Sequence, residues 1–94
     1  VKRYLKDPDS RLDYGYDWTP WLEAGDSILT STWVLDPGNP DTALIIDSFN
    51  FAGALTVVYL KAGTVGKRYV VTNRITTLNG LIDDRSIQVD VVQR

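Results

Sequence analysis

Lys67-Arg68-Tyr69-Val70-Val71-Thr72-Asn73-Arg74-Ile75-Thr76-Thr77, followed by Leu78-Asn79-Gly80-Leu81, is the stretch on which the fold turns. Tyr69, Val71 and Ile75 share one face of an alternating run, the period of two that a strand imposes on its side chains. Asn-Gly tolerates positive φ at both central residues of a two-residue turn, so Asn79-Gly80 predicts a hairpin. The chain beyond it, Leu81 to Val92, alternates again. Ile87, Val89 and Val91 lie on one face, with Ser86, Gln88 and Asp90 on the other.

Upstream of Tyr69 comes Leu60-Lys61-Ala62-Gly63-Thr64-Val65-Gly66: a Leu, a glycine-containing corner, then the Tyr that opens a strand. The spacing resembles the corner of immunoglobulin-like sandwiches, where such a Tyr folds back to hydrogen-bond upstream backbone. Further strands are read at Ala54–Lys61 and Thr42–Phe51, the latter closed by Gly53, and at Ser27–Leu35 and Arg11–Trp18. Leu12, Tyr14, Tyr16 and Trp18 share one face of the Arg11 run. In the Ser27 run Leu29, Trp33 and Leu35 are expected on one face, Ile28 and Val34 on the other. Pro37 and Pro40 interrupt ladders at Asp36–Asp41. One turn of helix at most is available at Trp18–Ala24, with Pro20 near its start and Gly25 after it.

Val, Ile, Thr, Tyr, Phe and Trp supply 35 of the 94 residues and Glu supplies one, which favours pleated surfaces over helix. Six or seven short antiparallel strands with turn residues between them predict an all-β, immunoglobulin-like or fibronectin type III-like sandwich. Residues 11–94 are expected to form that single domain. Residues 1–10, with mixed charge around Tyr4 and Leu5 and no strand pattern, are expected to form an N-terminal arm that latches onto a neighbour.

Composition narrows the chemistry. Without Cys, His or Met there is no thiolate, no imidazole base and no soft-metal site. Asp83-Asp84 are neighbours on a strand and point to opposite faces, so they do not converge on a substrate atom; pairing with Arg74 or Arg85 is expected instead. Asp7-Pro8-Asp9-Ser10 and Asp36–Asp41 are oxygen-rich but lack calcium-loop spacing, and their residues are those of ordinary turns. Gly63-Thr64-Val65-Gly66-Lys67 lacks the spacing of a phosphate loop. Lys67-Arg68-Tyr69 is too short a basic–aromatic stretch for a nucleic-acid groove. No apolar run is long enough for a membrane helix, and the first residues carry no secretory pattern. No enzyme activity, cofactor, metal, nucleic acid or membrane partner is expected.

Charge is uneven. Residues 1–47 hold nine acids and four bases, while residues 48–82 hold four bases and no acid. Cross-strand pairing would neutralise this within the fold; docking of an acidic surface on a basic one would make assembly sensitive to salt. Five rings, on Tyr14, Tyr16, Trp18, Trp21 and Trp33, crowd the first third of the chain. Trp33 and at least two others are expected in the core, and the remainder at a contact surface. The candidate partner-contact residues are Tyr4, Leu5, Tyr14, Tyr16, Trp18, Trp21, Lys67 and Arg68.

Two stretches carry a resemblance. One is Lys6-Asp7-Pro8-Asp9, Leu12-Asp13-Tyr14, Asp17-Trp18-Thr19-Pro20-Trp21-Leu22, Gly25-Asp26-Ser27-Ile28 and Ser31-Thr32-Trp33. The other is Gly66-Lys67-Arg68-Tyr69-Val70-Val71-Thr72-Asn73-Arg74-Ile75-Thr76-Thr77, with Asp83-Asp84-Arg85-Ser86-Ile87. Together they resemble the phage fiber-tail adaptor proteins over nearly the whole chain; Asp36–Asp41 and Thr42–Phe51 depart from the family pattern. The resemblance implies a bacteriophage virion protein of the tail, assembled in the host cytoplasm. It implies several copies per particle, and contacts with the tail fiber and with the tail tube or a nozzle or adaptor protein. A capsid decoration or head–tail joining protein is the structural alternative. A carbohydrate-binding module, with Tyr14, Tyr16, Trp18 and Trp21 as a sugar platform, is the alternative from another class.

Overall fold

The computed structural model describes residues 2–93, Lys2 by its backbone alone. Seven strands, and no helix among the described residues, form two facing sheets: β1 (Lys2–Lys6), β2 (Arg11–Asp17), β3 (Ile28–Leu35), β4 (Leu44–Ala52), β5 (Leu55–Ala62), β6 (Arg68–Thr77) and β7 (Ile82–Val91). One sheet has the order β1-β7-β6-β3, the other β2-β5-β4. Grouping the second, fifth and fourth strands against the third, sixth and seventh is compatible with an immunoglobulin-like sandwich. The body measures 43 × 22 × 20 Å.

The core lies between the sheets. Val58 and Leu60 of β5 and Tyr14 of β2 face Val71 of β6, Ile87, Val89 and Val91 of β7, and Trp33 of β3. A second cluster at one end joins Trp18, Ile28 and Ile75. Between the two sits Asn73, a fully buried polar side chain on β6. Its Oδ1 accepts from Trp18 Nε1 at 2.9 Å and from Thr56 Oγ1 at 2.7 Å. Its Nδ2 donates to Ser31 Oγ and to Thr32 O, both at 2.9 Å. Both lone pairs and both protons of the amide are thereby used, and the partners belong to both sheets.

The corner before β6 forms as its spacing predicts. Thr64 N–H donates to the Tyr69 hydroxyl at 2.9 Å, and that hydroxyl donates onward to Asp41 Oδ1 at 2.7 Å. Ala62 and Gly63 both have positive φ, 64° and 105°. A Cβ on Gly63 would come within 2.7 Å of the Val91 side chain, so close approach as well as φ requires glycine there.

Three expectations are corrected. First, residues 2–6 of the expected arm are strand β1, paired in parallel with β7 from Lys2↔Ile87 to Lys6↔Val91, so the strands are not all antiparallel. The Tyr4 ring packs on Tyr14 at 4.8 Å, and Lys6 is fully buried, its amine donating to Asp7 O at 2.8 Å and Ala62 O at 2.7 Å. The sandwich thus begins before residue 11; Val1 and Arg94 lie outside the described residues. Second, Ile28 points inward and Leu29 outward, the reverse of the alternation expected. A β-bulge between Ile28 and Thr30 inserts one residue and moves every later side chain to the opposite face.

Third, the Asn79-Gly80 hairpin has a three-residue loop. Gly80 N–H bonds Thr77 O at 3.0 Å, Thr77 N–H bonds Leu81 O at 2.9 Å, and only Gly80 has positive φ. That is the longer hairpin geometry, a turn followed by a left-handed glycine. The helical stretch reduces to a turn closed by Leu22 N–H on Trp18 O at 3.0 Å.

Asn73→Ala leaves Trp18 Nε1 and Thr56 Oγ1 buried without their acceptor, and it should cost about 3 kcal/mol or more. In a domain of this size that lowers Tm by more than about 10 °C. Deleting residues 1–6 should likewise destabilise the domain, with faster hydrogen exchange along β7 as the local signature. A truncated domain as stable as the full chain would show β1 to be dispensable.

Candidate interaction surfaces

The residues that could meet a partner are those the sandwich leaves outside. Tyr14 and Trp18 are not among them: both are core side chains. Trp18 is boxed in by Tyr16 at 5.0 Å, by Trp21 at 5.3 Å and by the Arg85 guanidinium at 5.1 Å over its ring. Tyr16, Trp21 and Tyr4 are half-buried. These rings do not form an open platform, which removes the structural basis for a sugar-stacking site.

Leu5, Lys67 and Arg68 are exposed and do come together. Leu5 and Arg68 both pair with Asp90, on either side of β7, so the three form one row on the outer face of the larger sheet. Arg68 Nε bonds Asp90 Oδ1 at 3.1 Å. Gly66, Lys67, Arg68, Asp90, Val91 and Val92 line a shallow depression beside that row.

At the other end of the same sheet lies an aliphatic patch that the sequence reading did not single out. Ile82 pairs with Thr76, and Thr76 with Thr30, next to the bulged Leu29. Leu78 and Leu81 stand in the adjoining hairpin loop, and Leu78 N–H bonds Ser27 O at 3.0 Å, which holds the loop against the start of β3. Ile82 is 64% exposed and Leu78 62%. The signal was present in Leu78-Asn79-Gly80-Leu81-Ile82: three large aliphatic residues at a turn, where polar residues are the rule. Ile82 and Asp90 are eight residues apart on β7, which separates the two ends by roughly 27 Å at the rise of an antiparallel strand.

Cross-strand ion pairs match three of the four bases in residues 48–82, and Arg11 and Arg85 are paired as well. Lys61 and Arg11 meet Asp47, Arg68 meets Asp90, Arg74 meets Asp84, and Arg85 meets Asp83. The loop acids hold turns: Asp7 Oδ1 accepts from Asp9 N at 2.8 Å, and Asp36 Oδ1 from Gly38 N at 2.8 Å. Hydrogen bonds lower four carboxyl pKa values. At Asp26 burial opposes the shift and is outweighed by bonds from the Thr77 side chain and the Ser27, Asn79 and Leu78 backbone. The Tyr69 hydroxyl acts on Asp41, Arg11 and then Lys61 on Asp47, and Arg74 on Asp84. Burial lowers the pKa of Lys6, against the pull of Asp7 and Asp9.

Because the folded form of each of these carboxyls binds protons less readily than the unfolded form, their stabilisation is complete above the ordinary Asp value of about 3.9. It is lost as pH falls through that value and through the depressed folded ones. Urea midpoints should therefore fall between about pH 5 and pH 2, and less steeply in Asp84→Asn. An unchanged slope in that variant would show that the Arg74–Asp84 pair contributes nothing.

No curated protein matches the chain. A family model does: that of the podophage GP4 fiber-tail adaptor protein gp77, over residues 6–90. The match runs from the buried Lys6 to Asp90 and takes in the aliphatic patch and Lys67 and Arg68, with Leu5 just before it. On that match the chain belongs to the family of podophage GP4 fiber-tail adaptor proteins, gp77, and so to the structural components of the bacteriophage tail.

Proposed function

We propose that this domain works as a rigid two-ended spacer, binding a tail fiber at one end and a tail tube, nozzle or adaptor protein at the other, by surface contact and without catalysis. The observation that carries the reading is the placement of two unlike surfaces at opposite ends of β7. One is aliphatic, around Leu29, Leu78, Leu81 and Ile82; the other is mixed, with Leu5, Lys67 and Arg68 beside Asp90. The family name supplies the two partner classes. A solvent-facing apolar cluster of this kind marks a protein-binding patch more often than an ordinary surface. Since both ends rest on one pair of hydrogen-bonded strands, β6 and β7, binding at one does not require the other to move. Several copies per particle and assembly in the host cytoplasm belong to the same reading.

Substitutions at the ends should separate the partners. Leu78→Asp with Ile82→Asp should leave the domain folded, since both side chains are already solvated, yet abolish one connection of the adaptor in assembled particles. Lys67→Glu with Arg68→Glu should abolish the other. The readout is particle composition by electron microscopy and mass spectrometry: adaptor absent from tails in one case, adaptor present but fiberless in the other. The aliphatic contact should resist salt and the basic one should weaken as ionic strength rises. Normal fibers and tails with both double variants would refute a two-ended spacer.

A further inference from the structure

The four sheet edges are unequal. β1 and β2, which stand together on one side of the sandwich, carry three charged residues each: Lys2, Arg3 and Lys6, and Arg11, Asp13 and Asp17. Charge of this kind is how sandwich proteins keep an edge from pairing. On the other side, β3 reads Ile-Leu-Thr-Ser-Thr-Trp-Val-Leu and has none over its eight residues. Its neighbour β4 has one, Asp47, which is drawn off by Arg11 and Lys61.

The same side has a second irregularity. Phe49 pairs with Val58 and Phe51 with Thr56, both of which are fully buried, so the two phenyl rings lie on the inner face of their sheet. They are nevertheless 42% and 38% exposed, on the side where the facing sheet ends at β3.

We propose that two copies of this chain associate edge to edge through β3, antiparallel about a two-fold axis. The two four-stranded sheets then become one continuous sheet, and Phe49 and Phe51 of each copy are enclosed beneath the joint. A two-fold contact sets a surface against itself, so a charge near the axis meets its own copy. β3, with no charge and with Thr30, Thr32 and Val34 on its outer face, is suited to that, whereas β1 and β2 are not. The size is adequate. The strand edge is about 26 Å long at the usual rise and the body is 20 Å deep, so the wall offers roughly 500 Å² per copy, or about 1,000 Å² in total, the lower bound for a specific interface.

The test is sedimentation of the full chain from about 1 to about 500 µM, the range in which a small specific interface dissociates. The wild type should pass from its 10.5 kDa mass to twice that value. Val34→Lys, at an exposed position, should stay monomeric at every concentration with an unchanged circular dichroism spectrum. Ile82→Lys, on the aliphatic patch, should dimerise as the wild type does. A wild type that remains monomeric, or a Val34→Lys that still dimerises, overturns the proposal. So does a monomeric wild type whose Val34→Lys variant fails to enter tails, since the edge would then take a strand from another tail protein. None of these results bears on the two-ended spacer, which is tested at Leu78, Ile82, Lys67 and Arg68.

Discussion

The sandwich depends on one amide. Asn73 ties Trp18 and Thr56 of one side to Ser31 and Thr32 of the other, from the middle of β6, and it does so with every donor and acceptor matched. Hydrophobic burial alone would hold two sheets together in many relative positions. A fully satisfied polar group at the centre admits only the position in which all four partners reach it. The indole of Trp18 is thereby fixed, and with it the packing of Tyr16, Trp21 and Arg85 around it. A small domain without disulfides gains its definite shape from this constraint, which the proposed spacer role requires.

Around that centre the surface is partitioned by position rather than by composition. Ion pairs occupy the sheet faces, where they match Lys61, Arg68 and Arg74 of the basic stretch with Asp47, Asp90 and Asp84. The turns use Asp7, Asp36 and Asp41 to bind their own backbone, which accounts for the oxygen-rich loops without any ligand. The exposed apolar side chains gather most densely in two places, the hairpin end near Ile82 and the side wall near Val34 and Phe49, with Leu5, Leu12, Leu55 and Val65 exposed elsewhere. Neither adds to the stability of the isolated domain.

The pattern of period two was sufficient to read β2, β5, β6 and β7 nearly to their ends, because each has one wet face and one dry one. It failed where a neighbour decides the conformation. β1 has only Tyr4 and Leu5 as apolar residues and buries a lysine, so its strand exists only because β7 accepts it. The face of Ile28 was misread because a bulge leaves no mark in a hydropathy pattern. The contact residues were the least legible. Aromatic rings serve cores and interfaces alike, and counting them could not show that Trp18 and Tyr14 had been claimed by the core. Aliphatic residues at a turn would have been the better guide.

The corner at Ala62 and Gly63 lies beside the end of β7, where the Lys6 amine clasps Ala62 and Gly66 bonds Val91. β7 itself is flanked on both sides, by β1 in parallel and β6 in antiparallel register. Tension applied along the long axis of the body therefore runs with the strands, while their backbone hydrogen bonds lie across it. Such a pull strains the bonds of both ladders together in shear; it cannot peel them apart in turn. An elongated β body of this construction is mechanically stiff along its long axis, the direction that would carry load in the proposed spacer.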